Sequence, residues 1–261
     1  MPVNLFTPDA KLTPYWWDVM TPTALPQQPL PGAVDVAVVG SGYTGLNAAL
    51  QTSRGGRSTL VLDAEDAGWG CSTRNGGQIS TSIKPSLSVL AKRYGEERAR
   101  AILLEGRESL AWIERFVTAE KMDCGFGVVG RYHAAHSANQ YEILARTIAS
   151  QPKGLEVPAH MVPRAEQHGE LGTDTYFGGV VYERHAVIDP GRYHQELLAR
   201  CLAAGTQVVT RCPVTAVERE AAGGYRVMTA RGVVRARDVV IATNGYTSAI
   251  TPWLRRRVIP I

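Results

Sequence analysis

The sequence predicts an α/β protein, a dinucleotide-binding βαβ domain interrupted by a β-rich second domain. Three observations carry this. A glycine-rich turn, Gly40 to Gly45, stands between an apolar strand-like run and a helical pattern. An acid, Asp63, closes the next apolar run. Strand-like text then takes over near residue 123, and αβ text returns near residue 186. A simple dehydrogenase fold would alternate strand and helix throughout.

The chain opens with an extended arm over residues 1–33. Pro8, Pro14, Pro22, Pro26, Pro29 and Pro31 exclude a long helix there. Tyr15-Trp16-Trp17 is expected to pack this arm on the body, in preference to a role at the substrate.

The βαβ unit begins at Asp35. Val36-Ala37-Val38-Val39 runs into Gly40-Ser41-Gly42-Tyr43-Thr44-Gly45, and Leu60-Val61-Leu62 ends on Asp63. Gly40 permits the tight turn off the strand. Gly42 keeps no side chain between backbone and a pyrophosphate, and Gly45 lets the helix approach the sheet. The helix N-terminus offers N–H groups and partial positive charge to phosphates. Asp63 lies 18 residues beyond Gly45, where a carboxylate accepts hydrogen bonds from ribose hydroxyls. Its charge disfavours a 2′-phosphate, so FAD or NAD fits better than NADP.

An irregular stretch, Gly68-Trp69-Gly70-Cys71-Ser72-Thr73-Arg74-Asn75-Gly76-Gly77-Gln78, follows. Its hydroxyls, amide and open backbone suit an extended anionic ligand. Arg74 either neutralises phosphate or pairs with a neighbouring acid. Pro85 to Met122 reads as two helices broken near Gly95, the second with Ala101, Leu104, Leu110, Trp112, Ile113 and Phe116 at helical spacing. Strands are expected at 126–134 and 176–182, with a helix at 140–150 between them. A helix from Arg192 to Ala204 carries Leu197, Leu198, Cys201 and Leu202 on one face and stops at Gly205. Strands are then expected at 207–210, 214–218, 225–229, 233–237 and 239–243.

Composition excludes several classes. Of 261 residues, 44% are apolar and 20% charged, the balance of a soluble globular protein. The net charge of +4 is not gathered into a nucleic-acid stripe; the densest basic run is Arg255-Arg256-Arg257. No segment is apolar for long enough to span a membrane, and no signal pattern opens the chain, which favours the cytoplasm. Cys71, Cys124, Cys201 and Cys212 lack metal-type spacing and are expected reduced and packed, and no paired histidine motif exists, so no metal is expected.

Together, the turn ending at Asp63, the Ser72-Thr73-Arg74-Asn75-Gly76-Gly77-Gln78 stretch and the late Val240-Ile241-Ala242-Thr243-Asn244-Gly245-Tyr246 segment resemble the FAD-dependent D-amino-acid-oxidase-like superfamily. The nearest branch holds glycine and sarcosine oxidases and gamma-glutamylputrescine oxidoreductases. The resemblance runs from about Tyr15 to the last residue. It implies a Rossmann-like FAD-binding domain (34–122 and 186–250) interrupted by a substrate domain (123–185, restarting at 251–261).

By the same resemblance, Gly40, Ser41, Gly42, Tyr43, Thr44 and Gly45 surround the pyrophosphate and Asp63 meets the ribose. Glu65 lies near the adenosine half, and the backbone of Val214 meets adenine. Gly76 and Gly77 run against the flavin ring with Gln78 nearby, and Thr243, Asn244 and Gly245 close over the cofactor. Family members continue well past Val258-Ile259-Pro260-Ile261, which reads as a strand start, so a truncated substrate domain is expected.

The implied reaction oxidises the C–N bond of a small amine or amino acid. Hydride passes to flavin, water hydrolyses the imine, and oxygen or another acceptor reoxidises the flavin. No catalytic residue is assigned. Tyr132, His133, Tyr182, Arg184 and His185, at strand ends, are pocket candidates with a plain structural role as the competing reading. A non-catalytic dinucleotide-binding remnant and an NAD-dependent dehydrogenase remain the alternatives.

Overall fold

A computed structural model describes residues 6–22 and 24–258. They divide into two compact units, one running to Gly76 and resuming at Asp189, the other from Gly77 to Ile188.

The first unit opens with an irregular arm whose regular part is a single 3₁₀ turn, Tyr15–Asp18. Strand β1 (Ala33–Val39), helix α1 (Tyr43–Arg54) and strand β2 (Thr59–Leu62) then form the expected βαβ unit. All four β2 residues are buried, which is why this strand reads as a continuous apolar run instead of an alternating one.

The second unit contains strand β3 (Gln78–Ser80), helices α2 (Leu87–Tyr94) and α3 (Glu96–Ala119), and strands β4 (Gly127–Val128) and β5 (Arg131–Ala134). Helix α4 (Ala138–Ala149), strand β6 (Ala159–Val162), helix α5 (Gln167–Leu171) and strands β7 (Gly179–Tyr182) and β8 (His185–Val187) complete it. Its two antiparallel sheets have the orders β3-β8-β4 and β5-β7-β6. Ala135, Leu144 and Val180 form a core beneath α4.

Gly95, at φ +85°, separates α2 from α3 as expected. The strand expected over 126–134 is split at Gly130, whose φ is +74°. Leu110 is buried on α3, but Leu104 and Trp112 of the expected apolar face are exposed. Helices α2 and α3, expected with the nucleotide-binding part, lie in this compact unit. Helix α3 packs closely on the chain after β3: a Cβ on Gly106 would stand 2.7 Å from the Thr81 carbonyl oxygen. The chain accordingly crosses between units after Gly76 and after Ile188.

The chain re-enters the first unit through helix α6 (Pro190–Ala203). It starts two residues before the expected point because the Asp189 side chain accepts the N–H groups of Gly191 and Arg192, with Pro190 at the first helical position. Its buried stripe is Tyr193, His194, Leu197 and Cys201; Leu202 is exposed. Strands β9 (Gln207–Val209), β10 (Val214–Arg219), β11 (Tyr225–Thr229) and β12 (Gly232–Ile241) follow, then the short helix α7 (Pro252–Arg255). The expected strand start at 258–261 lies almost wholly outside the described residues.

The first unit's sheet has the order β10-β11-β12-β1-β2-β9. β12, β1, β2 and β9 run parallel, and β10, β11 and β12 pair antiparallel. The two strands expected over 233–243 are one strand. Its first half pairs with β11 and its second half with β1, and Asp238 continues the ladder opposite Val36. Ala37, Leu60, Leu62, Val209, Val227 and Val234 form one core cluster. Among the described residues no helix is long and apolar enough to cross a membrane.

Candidate functional site

The β1–α1 turn is closed by its glycines. Gly40 has φ +104°, and a Cβ there would lie 2.6 Å from the Ala242 carbonyl oxygen. A Cβ on Gly45 would lie 1.9 Å from the Gly40 carbonyl oxygen, so α1 sits against its own turn at a distance only glycine allows. Gly42 faces the loop that follows β2: its Cβ would come within 2.9 Å of Ser72 Oγ. Ser72 Oγ accepts the Tyr43 N–H at 3.1 Å, and Asp63 Oδ2 accepts the Ser41 N–H at 2.7 Å and the Ser41 hydroxyl at 2.6 Å. Two N–H groups expected to face a phosphate therefore have protein partners. Asp63 Oδ1 accepts the Glu65 N–H at 3.0 Å.

Behind the turn lies His194 of α6, essentially buried. Its Nε2 donates to the Ser41 carbonyl oxygen at 2.7 Å, which fixes the tautomer. Burial holds its pKa below the usual histidine value, against the opposing pull of that hydrogen bond and of Asp63. The ring also explains Gly68, at φ +85°, where a Cβ would stand 2.8 Å from the imidazole. No sequence signal marks His194.

The loop from Gly68 to Asn75 is tied down residue by residue. Thr73 Oγ1 donates to the Gly68 carbonyl at 2.6 Å and accepts the Trp17 indole N–H at 2.9 Å. The Trp16 indole N–H reaches the Asn75 carbonyl at 2.7 Å. Tyr15, expected to pack with them, is exposed. The Arg74 guanidinium lies over the rings of Trp17 and Trp69, with centroids 4.8 and 4.4 Å away. Its protein surroundings are therefore aromatic, a cation–π setting. Asp66, nearby, forms a bidentate ion pair with Arg211 at 3.0 and 2.8 Å.

These elements enclose a cavity of about 320 Å³, lined only by residues of the first unit. Of the residues singled out from sequence, Gly40, Ser41, Gly42, Asp63, Glu65, Ser72, Val214, Thr243 and Asn244 line it. Tyr43, Thr44, Gly45, Thr73, Arg74, Asn75, Gly76 and Gly245 belong to the first unit without lining it. Gly77 and Gln78 belong to the second unit, Gln78 on β3 opposite Val187.

Sequence reasoning missed Trp69, Cys71, Pro213, Tyr246 and Ile250 in the lining. The Cys71 thiol, expected packed, is exposed there, 3.3 Å from the Tyr246 hydroxyl. That contact and burial raise the Tyr246 pKa. Thr243 Oγ1 is buried with no hydrogen-bond partner among the described residues.

The strand-end candidates all fall in the second unit. Arg184 pairs with Glu114 at 2.6 Å. His185 is buried on β8, and burial followed by the charge of Arg131 depresses its pKa; the same two causes depress that of His133. The Tyr132 hydroxyl is buried without a partner among the described residues. Among those residues no three His, Cys, Asp or Glu side chains gather as a metal site.

The model of one protein family, described as FAD dependent oxidoreductase, matches residues 35–261. A probable oxidoreductase OrdL from Haemophilus influenzae is 25% identical over 232 residues, covering 87% of this chain and 53% of that protein. The gamma-glutamylputrescine oxidoreductase of Escherichia coli is 28% identical over 230 residues, again 87% and 53%. The chain thus spans about half the length of these curated relatives. Among solved structures, glycine oxidase from Geobacillus kaustophilus aligns with TM-score 0.74 at 16% identity, covering 86% of this chain and 59% of that one. L-proline dehydrogenase from P. horikoshii aligns with TM-score 0.67 at 17% identity, covering 85% and 56%. At those identities the likeness shows the α/β fold with its parallel-stranded sheet.

Proposed function

Because the chain belongs to the family of FAD-dependent oxidoreductases, we propose that the glycine-lined cavity holds the dinucleotide part of FAD and serves oxidation of a small amine or amino acid at its C–N bond. The observation that carries the cofactor assignment is the cavity itself. It combines a tight turn with bare backbone at Gly40 and Gly42 in the lining, where a Cβ would meet the Ala242 carbonyl and Ser72 Oγ, a carboxylate at Asp63, and an unsatisfied hydroxyl at Thr243. A buried hydroxyl without a partner costs free energy, and a polar ligand group in the cavity would supply one.

The chain's own residues have separable roles. Gly40 and Gly42 give backbone access to the pyrophosphate, with the positive end of α1 beside it. Asp63 retains acceptor capacity beyond its three donors and meets the ribose. Glu65 and the backbone of Val214 flank the adenosine end, while Thr243 and Asn244 close the other wall. Ser72 shapes the wall opposite Gly42. When bound, FAD supplies the two-electron acceptor for a hydride from the carbon next to nitrogen, leaving an imine for water to hydrolyse. The amine and amino-acid class is drawn from the named relatives.

A visible spectrum of the purified chain tests this. A yellow chromophore that bleaches on adding an amine or amino acid is the expected result. Flavin bound without response to any amine leaves a cofactor-holding chain without catalysis. A colourless protein that gains no flavin on reconstitution overturns the reading.

A further inference from the structure

The arm ahead of the sheet is irregular, yet one turn of it makes directed contacts with Thr73 and Asn75, just after Ser72 in the cavity lining. The indole N–H of Trp16 donates to the Asn75 carbonyl at 2.7 Å, and that of Trp17 to Thr73 Oγ1 at 2.9 Å. Between these anchors in sequence, Arg74 lies over both the Trp17 ring and the Trp69 ring. The same segment contains Ser72, whose hydroxyl accepts the Tyr43 N–H at the start of α1 and stands opposite Gly42. Thr73 is fully buried, so its side chain cannot rotate to replace a lost indole with water.

We infer that Trp16 and Trp17 of the arm are positioning residues of the cofactor site, holding the segment from Ser72 to Asn75 as a preformed wall against the β1–α1 turn. This rests on the FAD reading above. Without the indole anchors, ordering that segment falls to the incoming dinucleotide, which lowers its affinity. Linkage makes the relation reciprocal: bound FAD holds the wall, and the wall holds the arm, by the same factor.

The test uses the full chain. FAD affinity is read by titration of the apo protein, and arm docking by the rate of chymotryptic cleavage at Trp16 and Trp17. Trp17→Phe removes the N–H and keeps a ring for Arg74; Trp17→Leu removes both. Trp17→Phe is expected to weaken FAD binding about fivefold, the loss of one hydrogen bond. Trp17→Leu is expected to weaken it further, with the urea midpoint of the apo protein little changed. FAD is expected to slow cleavage at the arm in the parent and less so in each variant. Parent-like affinity in folded Trp17→Leu, or arm cleavage indifferent to FAD, overturns the inference alone. If Trp17→Leu does not fold, Trp17→Phe decides on the same two readouts. A parent chain that binds no FAD overturns both the cofactor reading and this inference.

Discussion

His194 Nε2 lies 2.7 Å from the Ser41 carbonyl oxygen, so a fully buried imidazole on α6 holds the middle of the glycine turn. Burial depresses its pKa below the ordinary 6.5. The folded state therefore binds fewer protons than the unfolded chain between the two pKa values, and stability rises with pH across that window. The contribution is complete above about pH 6.5 and is lost as pH falls toward the folded pKa. His194→Gln removes the titrating group and is expected to flatten this part of the profile. Urea melts at pH 7.5 and pH 5.5 check it; an unchanged slope in the variant refutes the assignment.

Gly45 and Gly42 sit three residues apart and are expected to fail differently. A Cβ at 45 meets backbone at 1.9 Å, which nothing in the turn can yield to. Gly45→Ala should destabilise the fold by about 3 kcal/mol or more. A Cβ at 42 meets a serine hydroxyl at 2.9 Å, which can rotate away. Gly42→Ala should cost about 1 kcal/mol of stability, yet weaken FAD binding about tenfold or more by filling the approach to the pyrophosphate. Melting curves beside FAD titrations separate the two outcomes.

Asp63 accepts from Ser41 through Oδ2 and from the Glu65 N–H through Oδ1. Asp63→Asn turns one of these acceptors into a donor. If the amide oxygen stays with Ser41, its NH₂ faces the Glu65 N–H. Loss of a charge-assisted hydrogen bond predicts about tenfold weaker FAD binding, measured by the same titration. An unchanged affinity would remove Asp63 from the ribose contact.

The turn from Val36 to Asp63 was legible because its chemistry is local: strand, glycines, helix and acid occupy fewer than thirty consecutive residues. Helix α6 was legible for the same reason, though Asp189-Pro190 marked its start better than the apolar spacing did. What the sequence could not reveal depends on distant partners. The junction near Asp238 resembles a break, but one strand crosses it because β1 takes over as partner from β11. His194 looks like any helical histidine until Ser41, 153 positions away, is placed beside it. The two tryptophan rings under Arg74, one of them 57 positions earlier in the arm, had no local signal either.

Cysteine labelling probes the cavity without relying on turnover. None of the four cysteines is in a disulfide, and Cys71 alone is exposed. Cys201 donates its thiol to the Leu46 carbonyl at 3.1 Å, and burial pushes its pKa up to about 12, so it carries almost no thiolate near neutral pH. A thiol reagent at pH 8 is expected to modify one cysteine quickly, identified by mass spectrometry as Cys71, with the other three reacting only in denaturant. Because Cys71 lines the cavity beside Ser72 and Tyr246, saturating FAD should slow its alkylation at least tenfold, as access then requires ligand release. Cys71→Ser should abolish the fast phase and leave the slow ones in place. Rapid labelling that FAD does not slow would place the dinucleotide away from the segment at Cys71, and with it the proposed wall at Ser72.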